Sequence, residues 1–600
     1  MIEKKRPIAM LWEISYGSRA LYAASCAAML ASVFCGFLLP QVIRFVVDGV
    51  AGEAVMFGRA GFDSFAGALR ENRGFAGLLV VCISAFGGVF NFIHRWTVAM
   101  GAEGLVERLR DRLYSHIQRL PYSWHTDIQT GDIIQRCTSD VDIVKNFFST
   151  QITEIARAIV LVIFAYGILF PMNATLSAAS FAFLPVILIY SLAFLRRATS
   201  RFLAADEAEG QLLAIAQENF SGVRVVRAFG RERHEIERFD RQNRHFAALW
   251  MKLGSLLGAY WGIGDLLTGL QMTTICALAA YQAAGDGITI GEFIVFLSYN
   301  SMIIWPVRGL GRVLSEAGKT GVSLGRIREI LDTAPETDAA DALETPIGGD
   351  IKFEGVSFSY SGIPVLSDVS FTVKRGTTLG ILGATGSGKT TIAHLICRLY
   401  DLEDGNGKIT IGGVDIRRYK WQWLRKNVGI VLQEPFLYSR SIRENIAPLP
   451  GYAPERITAA ASAAHIDAEI EQFPHGYGTM VGERGVTLSG GQRQRVAIAR
   501  MLLNGPPIMI FDDSLSAVDT ETDARIRAAL RRATGDATVI IITHRITSLS
   551  GADTVMVIKD GRVEEIGTPA ELMELGGVYR RVRDMQQSAE DEIMKYSNGR

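Results

Sequence analysis

The first half of the chain carries apolar runs long enough to cross a bilayer, and the second half carries only short ones. A hydrocarbon core takes about 20 residues of helix. Six windows suit it: Leu21 to Val47, Phe75 to Phe92, Ile152 to Phe170, Leu176 to Phe194, Leu256 to Ala284 and Ile290 to Ile304. The simplest count is six spans. The third and fourth form a tight pair about Pro171-Met172-Asn173-Ala174-Thr175, and the fifth and sixth a pair about AAGDGITIGE. The two long intervening segments are rich in Ala, Leu, Arg and Glu at helical spacing, as in GLVERLRDRLYSHIQRL. They predict membrane helices that continue well beyond the bilayer. Each is punctuated once, at Thr130 to Asp142 (TGDIIQRCTSDVD) and at Asn219 to Glu232 (NFSGVRVVRAFGRE). A glycine followed by an amphipathic turn suits a short helix lying across the ends of the bundle, or an ordinary turn. From about Ile351 short apolar strands alternate with Gly-punctuated helices, the pattern of a soluble α/β domain.

Charge orients the spans. The segment between spans two and three holds Arg95, Arg108, Arg110, Arg112, Arg119, Arg136 and Lys145, and that between four and five is richer still in arginine, whereas the two short turns hold neither Lys nor Arg. The positive-inside rule places both long segments in the cytoplasm. The loop from Ala51 to Arg73 carries Arg59, Arg70 and Arg73, and its neighbours force it outside. The first apolar run is too long for a signal-peptide core and shows no A-x-A site, so it is expected to be retained as a span. Arg44, Asp48, Glu154, Arg157 and Asp265 are ionisable residues inside spans. Such charges mark pathways or pair with one another, and Arg44 with Asp48, and Glu154 with Arg157, have helical pairing distances.

Composition adds two exclusions. With 62 basic and 62 acidic residues and a pI near 7.1, no electrostatic footprint for nucleic acid exists. The six cysteines lack metal spacing and read as small buried hydrophobes. Hydrophobic residues make up 48% and mean hydropathy is +0.19, an average over a membrane half and a soluble half.

The soluble half carries the chemistry. Gly383-Ala384-Thr385-Gly386-Ser387-Gly388-Lys389-Thr390 is a full GxxxxGK[ST], with the strand Leu379 to Leu382 before it and a helix from about Lys389 after it. Its glycines let backbone N–H groups wrap a β-phosphate, Lys389 reaches the β- and γ-oxygens, and the Thr390 hydroxyl reaches magnesium. A second apolar strand, Ile508 to Phe511, ends at Asp512 and supplies a carboxylate on the magnesium side. Leu488-Ser489-Gly490-Gly491-Gln492 opens another helix, and its physics is again anion binding at a helix N-terminus. One nucleotide has no use for two such devices, so one of them serves a nucleotide held by a different chain.

In this order Gly383 to Thr390, Gln433, Leu488 to Gln492, Ile508 to Asp512, Ser516 to Asp519 and His544 in IITHRI resemble the Walker A, Q-loop, signature, Walker B, D-loop and switch histidine of an ABC ATPase. The six spans with TGDIIQR and GVRVVRAF resemble the membrane domain of ABC exporters, and TMVGERG before the signature is similar to the exporter contact loop for coupling helices. The fold implied is an all-α six-helix transmembrane domain with long cytoplasmic extensions over residues 1–335, a linker over 336–350, and an α/β P-loop ABC ATPase domain over 351–600. The resemblance implies an ATP hydrolase coupled to export, working with ATP and Mg2+. It gives ATP binding to Tyr360, Gly383, Thr385, Gly386, Ser387, Gly388, Lys389, Thr390 and Thr391, and magnesium to Thr390, Gln433 and Asp512. It gives contact with the opposite subunit's ATP to Ser489, Gly490, Gly491, Gln492 and Asp519, and catalysis to Asp513, His544 and Gln433. The partner implied is a second ABC half-transporter, in a heterodimer by preference over a homodimer. The location implied is the bacterial inner membrane, with the N-terminus and ATPase domain in the cytoplasm. Multidrug export is the nearest functional label, the cargo is not readable, and a homodimeric exporter or lipid flippase is the alternative.

One position departs from the family pattern. The acid after the Walker B aspartate is Asp513 where the family has Glu. Losing one methylene withdraws the carboxylate, and proton acceptance needs a reach of about 2.6 to 3.2 Å. The departure resembles the slow-site subunit of heterodimeric exporters, in which one of two nucleotide sites fires weakly. The intact signature fits that reading, and the intact His544 weakens it.

Overall fold

The computed structural model describes residues 15–51, 73–285, 287–482, 485, 487–514, 525–526, 528 and 535–597. Internal contacts divide the chain into two units, Met1–Arg119 with Ile128–Ala334, and Leu120–Asp127 with Pro335–Arg600.

The first unit is helical. Its long elements are α1 (Arg19–Ala51), α2 (Arg73–Ile117), α4 (Thr130–Met172), α5 (Ala174–Ser221), α7 (Glu232–Ala283) and α8 (Ile290–Asp332); α6 (Val223–Ala228) is short, and α3 (Tyr122–Asp127) groups with the second unit. The six long helices are, among the described residues, long and apolar enough to cross a membrane. At 1.5 Å per residue the 52 residues of α7 extend roughly 78 Å against a core of about 30 Å. More than half of that helix therefore lies beyond the hydrocarbon. On α2, Val81, Phe86 and Phe92 are each more than 60% exposed, as suits side chains of a membrane helix. The turn between α4 and α5 follows from two residues: Pro171 occupies the last turn of α4, and Asn173 leaves helical geometry and accepts the Leu176 N–H at 3.0 Å as the cap of α5.

Several charges inside this unit are paired, within a helix or across helices. Arg44 lies 3.6 Å from Asp48, its helical neighbour, and 2.6 Å from Glu292 on α8. Asp48 accepts the Gly291 N–H at 2.7 Å and the Thr289 hydroxyl at 2.9 Å, so it caps α8 from another helix. A Cβ at Gly291 would meet that carboxylate at 2.6 Å, which is why the position holds glycine. Asp265 pairs with Arg308 at 2.7 Å.

The first of the two punctuated stretches is not a separate crossing helix. Thr130 to Asp142 opens α4, which runs through π-helical stretches at Arg136–Asp140 and Phe147–Gln151 without breaking. Arg136 bonds Asp132 at 2.8 Å and Glu329 at 2.7 Å, and Asp140 accepts from Ser323 at 2.7 Å, so the stretch is laced lengthwise along α8. The break falls upstream at Pro121, which cannot continue α2, and the short helix that follows is α3. The second stretch does contain a separate short helix, α6, between Gly222 and Phe229.

The second unit holds two sheets. One is antiparallel: β1 (Ile351–Tyr360), β2 (Ile363–Val373), β4 (Lys408–Ile411) and β5 (Val414–Asp415) in the order β2-β1-β4-β5. The other contains β3 (Thr378–Gly383), β6 (Val428–Val431), β7 (Ile508–Asp512), β8 (Thr538–Thr543), β9 (Thr554–Lys559) and β10 (Arg562–Gly567) in the order β10-β9-β3-β8-β7-β6. Its five strands from β9 to β6 pair in parallel. Buried on both faces, they read as continuous apolar runs. Alternation sorts β7 between two cores, with Ile508 and Ile510 on one face and Met509 and Phe511 on the other. Three further helices serve the site: α9 (Lys389–Ile396), α10 (Gly490–Asn504) and α11 (Val578–Ser597).

Candidate functional site

The register of the parallel sheet brings the chemistry together. Strand β8 lies between β3 and β7, pairing Leu382 with Thr543 and Asp512 with Ile542. The carboxyl ends of three adjacent strands thus present the phosphate cradle, Thr543 with His544, and Asp512 with Asp513. This edge is where open α/β sheets bind ligands.

The cradle has its shape from glycines that no other residue could replace. Gly388 has φ +99°, and a Cβ there would strike the Leu366 side chain at 2.6 Å; a Cβ at Gly383 would meet the Ile558 carbonyl at 2.5 Å. Lys389 Nζ donates to the carbonyls of Gly383 (2.9 Å) and Ala384 (2.7 Å), folding over the loop. Burial lowers its pKa, and Asp512 and Asp513 oppose that shift. The Ser387 hydroxyl is buried with no hydrogen-bond partner among the described residues. An orphaned buried hydroxyl beside glycine N–H groups is what a bound phosphate oxygen would satisfy.

Asp512 is buried at the end of β7. Burial raises its pKa, and the Thr390 hydroxyl, bonded to it, pulls the other way. Hydroxyl and carboxylate side by side are hard oxygen ligands suited to magnesium. Asp513 has φ +44°, a left-handed conformation uncommon outside glycine, and its N–H donates to the Ile542 carbonyl at 2.8 Å. Its carboxylate lies 3.1 Å from His544 Nδ1, 3.4 Å from the Gln433 amide and 3.5 Å from the Thr543 hydroxyl. The structure therefore gathers Gln433, Asp513 and His544 around one carboxylate.

Tyr360 ends β1 and is half-buried. Its hydroxyl donates to Thr391 at 3.3 Å, and its ring meets Phe358 and Tyr400 edge-on. Ser489 to Gln492 lie elsewhere in the unit. Ser489 caps α10 and Gln492 returns the bond, forming a capping box at 3.2 and 2.9 Å, while the Gln492 amide donates to Glu469 at 3.0 Å. None of these bonds reaches the cradle. Asp519 lies outside the described residues, as do parts of TMVGERG.

One residue escaped the sequence reading. Gln586 on α11 donates to the His544 carbonyl at 2.7 Å and accepts the Ile546 N–H at 3.0 Å, holding the histidine's loop from both sides. No local pattern announces a lone glutamine 42 positions away.

Comparisons with known proteins agree with this layout. The family model for the ABC transporter transmembrane region matches residues 21–307, and the model described as ABC transporter matches residues 366–516. An uncharacterized ABC transporter ATP-binding protein, YknU of Bacillus subtilis, is 33% identical over 95% of this chain and 95% of its own length. An ATP-dependent lipid A-core flippase of Aromatoleum aromaticum is 33% identical, covering 92% of this chain and 91% of the relative. Among solved structures, a bacterial Atm1-family ABC exporter with ATP bound superposes with a TM-score of 0.78 at 26% identity, over 96% of this chain and 99% of that one.

Proposed function

The chain belongs to the ABC transporter family as a multi-pass exporter subunit that binds ATP and couples its hydrolysis to transport, and from that premise we propose that it is the slow-site member of a heterodimer. What carries the proposal is the engagement of Asp513. Its carboxylate is directed at His544 Nδ1, 3.1 Å away, from a left-handed backbone position. A carboxylate occupied with the imidazole orients that ring and leaves Nε2 for the γ-phosphate, but it is a poor acceptor for a water proton. Bound magnesium would neutralise phosphate charge, and Thr390 and Asp512 are the residues to hold it, with Gln433 close by. Lys389, the loop N–H groups and Ser387 bind the phosphates, and Tyr360 packs on the base. Ser489, Gly490 and Gly491 close on the nucleotide of the opposite subunit, where the partner's longer acid does the work. The segment through which nucleotide state reaches the spans is α3, which packs Tyr122 on Tyr400 within the ATPase unit and is continuous with α2 and α4 in the chain. Nucleotide binding alone suffices to shift such a two-state element by its differential affinity. The chain resides in an inner membrane with the ATPase domain in the cytoplasm.

A second reading, a homodimeric exporter or lipid flippase with slow hydrolysis at both sites, draws on the complete Gln433–Asp513–His544 cluster and on the flippase relatives. One experiment separates them. ATPase activity is measured for the purified chain alone and with candidate partner subunits, each with Asp513 unchanged and as Glu. Full turnover by the unaltered chain alone sinks the heterodimer.

A further inference from the structure

Helix α10 carries two glutamines near its start, and they are used differently. Gln492 is closed into the capping box with Ser489 and bonded to Glu469. Gln494 reaches out of the helix instead. It is 4% exposed, and its amide Nε2 donates to the backbone carbonyl of Gln433 at 3.3 Å. A carbonyl can only accept, so the nitrogen must be the end of the amide that faces Gln433. The other end, Oε1, is buried with no hydrogen-bond partner among the described residues. Buried amides are bonded at both ends as a rule. One that is half-satisfied gains when its surroundings shift and bring a donor within reach.

What Gln494 holds is a junction. Gln433 stands just past β6, whose parallel partner β7 ends at Asp512. Beyond Gln433 the chain is moored to α10, since Arg500 donates to the Phe436 carbonyl at 3.2 Å and to the Asn445 carbonyl at 2.7 Å. Further along, α10 lies against β6 itself, where a Cβ at Gly429 would meet the Met501 sulfur at 2.7 Å. The C-terminal half of α10 is thus fixed to the sheet, and Gln494 ties the half that begins at Ser489 to the residue between sheet and helix. From Gln433 the contacts continue. Its side-chain amide lies 3.4 Å from the Asp513 carboxylate, which lies 3.1 Å from His544 Nδ1. A continuous run of polar contacts therefore joins α10 to the acid and the histidine of this chain's own site.

We propose that Gln494 is the positioning residue that couples the two ends of this chain, setting where Gln433 stands at its own site according to where α10 stands on the partner's nucleotide. This rests on the exporter reading, in which α10 closes on the ATP of the opposite subunit and Gln433 stands on the magnesium side. Gln494 touches neither nucleotide nor metal in this role and acts through the Gln433 backbone. Coupling is reciprocal, so what this chain's site holds biases α10 in turn.

The test uses the full-length dimer, paired with a partner subunit whose Walker B aspartate is replaced so that its site binds ATP but holds no metal. Manganese stands in for magnesium, and its binding is read from the electron paramagnetic resonance of the free ion in the presence of a non-hydrolysable ATP analogue. Gln494→Met keeps the length of the side chain without donor or acceptor, and it should weaken manganese binding about fivefold. Its melting temperature should hold or rise, because the orphaned oxygen leaves with the donor. Gln494→Glu turns a carboxylate on the Gln433 carbonyl and should weaken manganese at least as much. Gly490→Asp, whose lesion is to the partner's site, should weaken manganese at this chain's site about threefold in the unaltered chain and not at all beside Gln494→Met. Unchanged manganese affinity in both Gln494→Met and Gln494→Glu overturns the proposal, as does an effect of Gly490→Asp that is the same in both backgrounds, nil included. A fall in melting with manganese affinity intact makes the amide structural and overturns it too. All of these failures leave the ATP-dependent manganese site of the unaltered dimer in place. The exporter reading fails separately, if that site is missing.

Discussion

Two helices of the ATPase unit begin with a serine and glycines, and they begin differently. Helix α9 starts at Gly388, in a left-handed conformation, with no side chain capping its N–H groups. Helix α10 starts at Ser489 inside a closed capping box, with Gln492 further tied to Glu469. The first leaves its donors, and the buried Ser387 hydroxyl, for something else to satisfy, and it is surrounded by Lys389, Thr390, Asp512 and Asp513. The second has completed its local bonds, and the one acid among them, Glu469, is taken up by Gln492 and Arg495. On the proposed reading, one end holds a phosphate and acts on it, and the other presses against a phosphate that something else holds. That difference makes lesions at the two ends separable.

The sharpest break in that comparison is a charge at the second end. Gly490→Asp puts a carboxylate in the first turn of α10, where it favours the helix but repels a phosphate. On the proposed heterodimer reading this disables the fast site, and steady-state turnover should fall about a hundredfold, roughly 2.7 kcal/mol of transition-state stabilisation. Melting temperature should not fall. ATPase assays with the wild-type partner check the first outcome and thermal denaturation the second; an unaltered rate would show that α10 contacts no nucleotide.

Next in size is the acid itself. Asp513→Glu restores the missing methylene at the chemical end and should raise turnover at this chain's own site about tenfold, or roughly 1.4 kcal/mol. Single-turnover hydrolysis by the chain paired with a partner whose own site is blocked isolates that rate. A gain would mean that length alone limits the slow site. No gain would place the limit in the left-handed backbone at Asp513, whose φ of +44° a longer side chain does not relax.

Lys389→Ala comes third, and here the comparison inverts intuition. The lysine covers the cradle through two carbonyl bonds, so its loss should abolish nucleotide retention at this site. If the other site sustains turnover, as proposed, the rate should fall only about fivefold through weaker closure of the pair. Retention of a labelled nucleotide, counted against the rate, checks both. A fall as large as that of Gly490→Asp would mean that both sites fire equally.

How far these two ends could be read along the chain depends on whether their parts are neighbours in sequence. The cradle is legible because phosphate wrapping needs consecutive backbone N–H groups, and the acid strand because a fully buried parallel strand is unbroken apolar sequence up to Asp512. The six spans are legible for the same reason. Through-space pairings are not. Asp265 is legible as a charge in a span, but nothing local ties it to Arg308, its partner 43 positions on. The glycine of TGDIIQR suggests the first short helix, whereas Pro121 breaks the chain earlier and TGDIIQR is laced to α8 by Arg136 and Glu329. The capping role of Gln492 was hidden by its place in a motif known for something else, although Ser-x-x-Gln is itself a capping pattern.

The smallest effect tests how the chemical end is braced. The signature end is held by bonds within four residues and one glutamate, whereas the His544 loop is held from α11 by Gln586, which donates to one backbone group and accepts from another. Gln586→Ala removes both bonds, each worth about 1 kcal/mol at most for a part-buried neutral pair. Much of that appears as looseness of the loop rather than unfolding, so turnover at this site should drop about threefold with little change in melting. Gln586→Glu separates the two bonds, since a carboxylate can still accept from Ile546 but cannot donate to the His544 carbonyl, and it should sit between wild type and Ala. Neither variant should alter the site that Ser489 is proposed to complete on the partner. If turnover at both sites falls together, α11 braces the whole unit rather than the histidine, and the two ends are less independent than their local bonding implies.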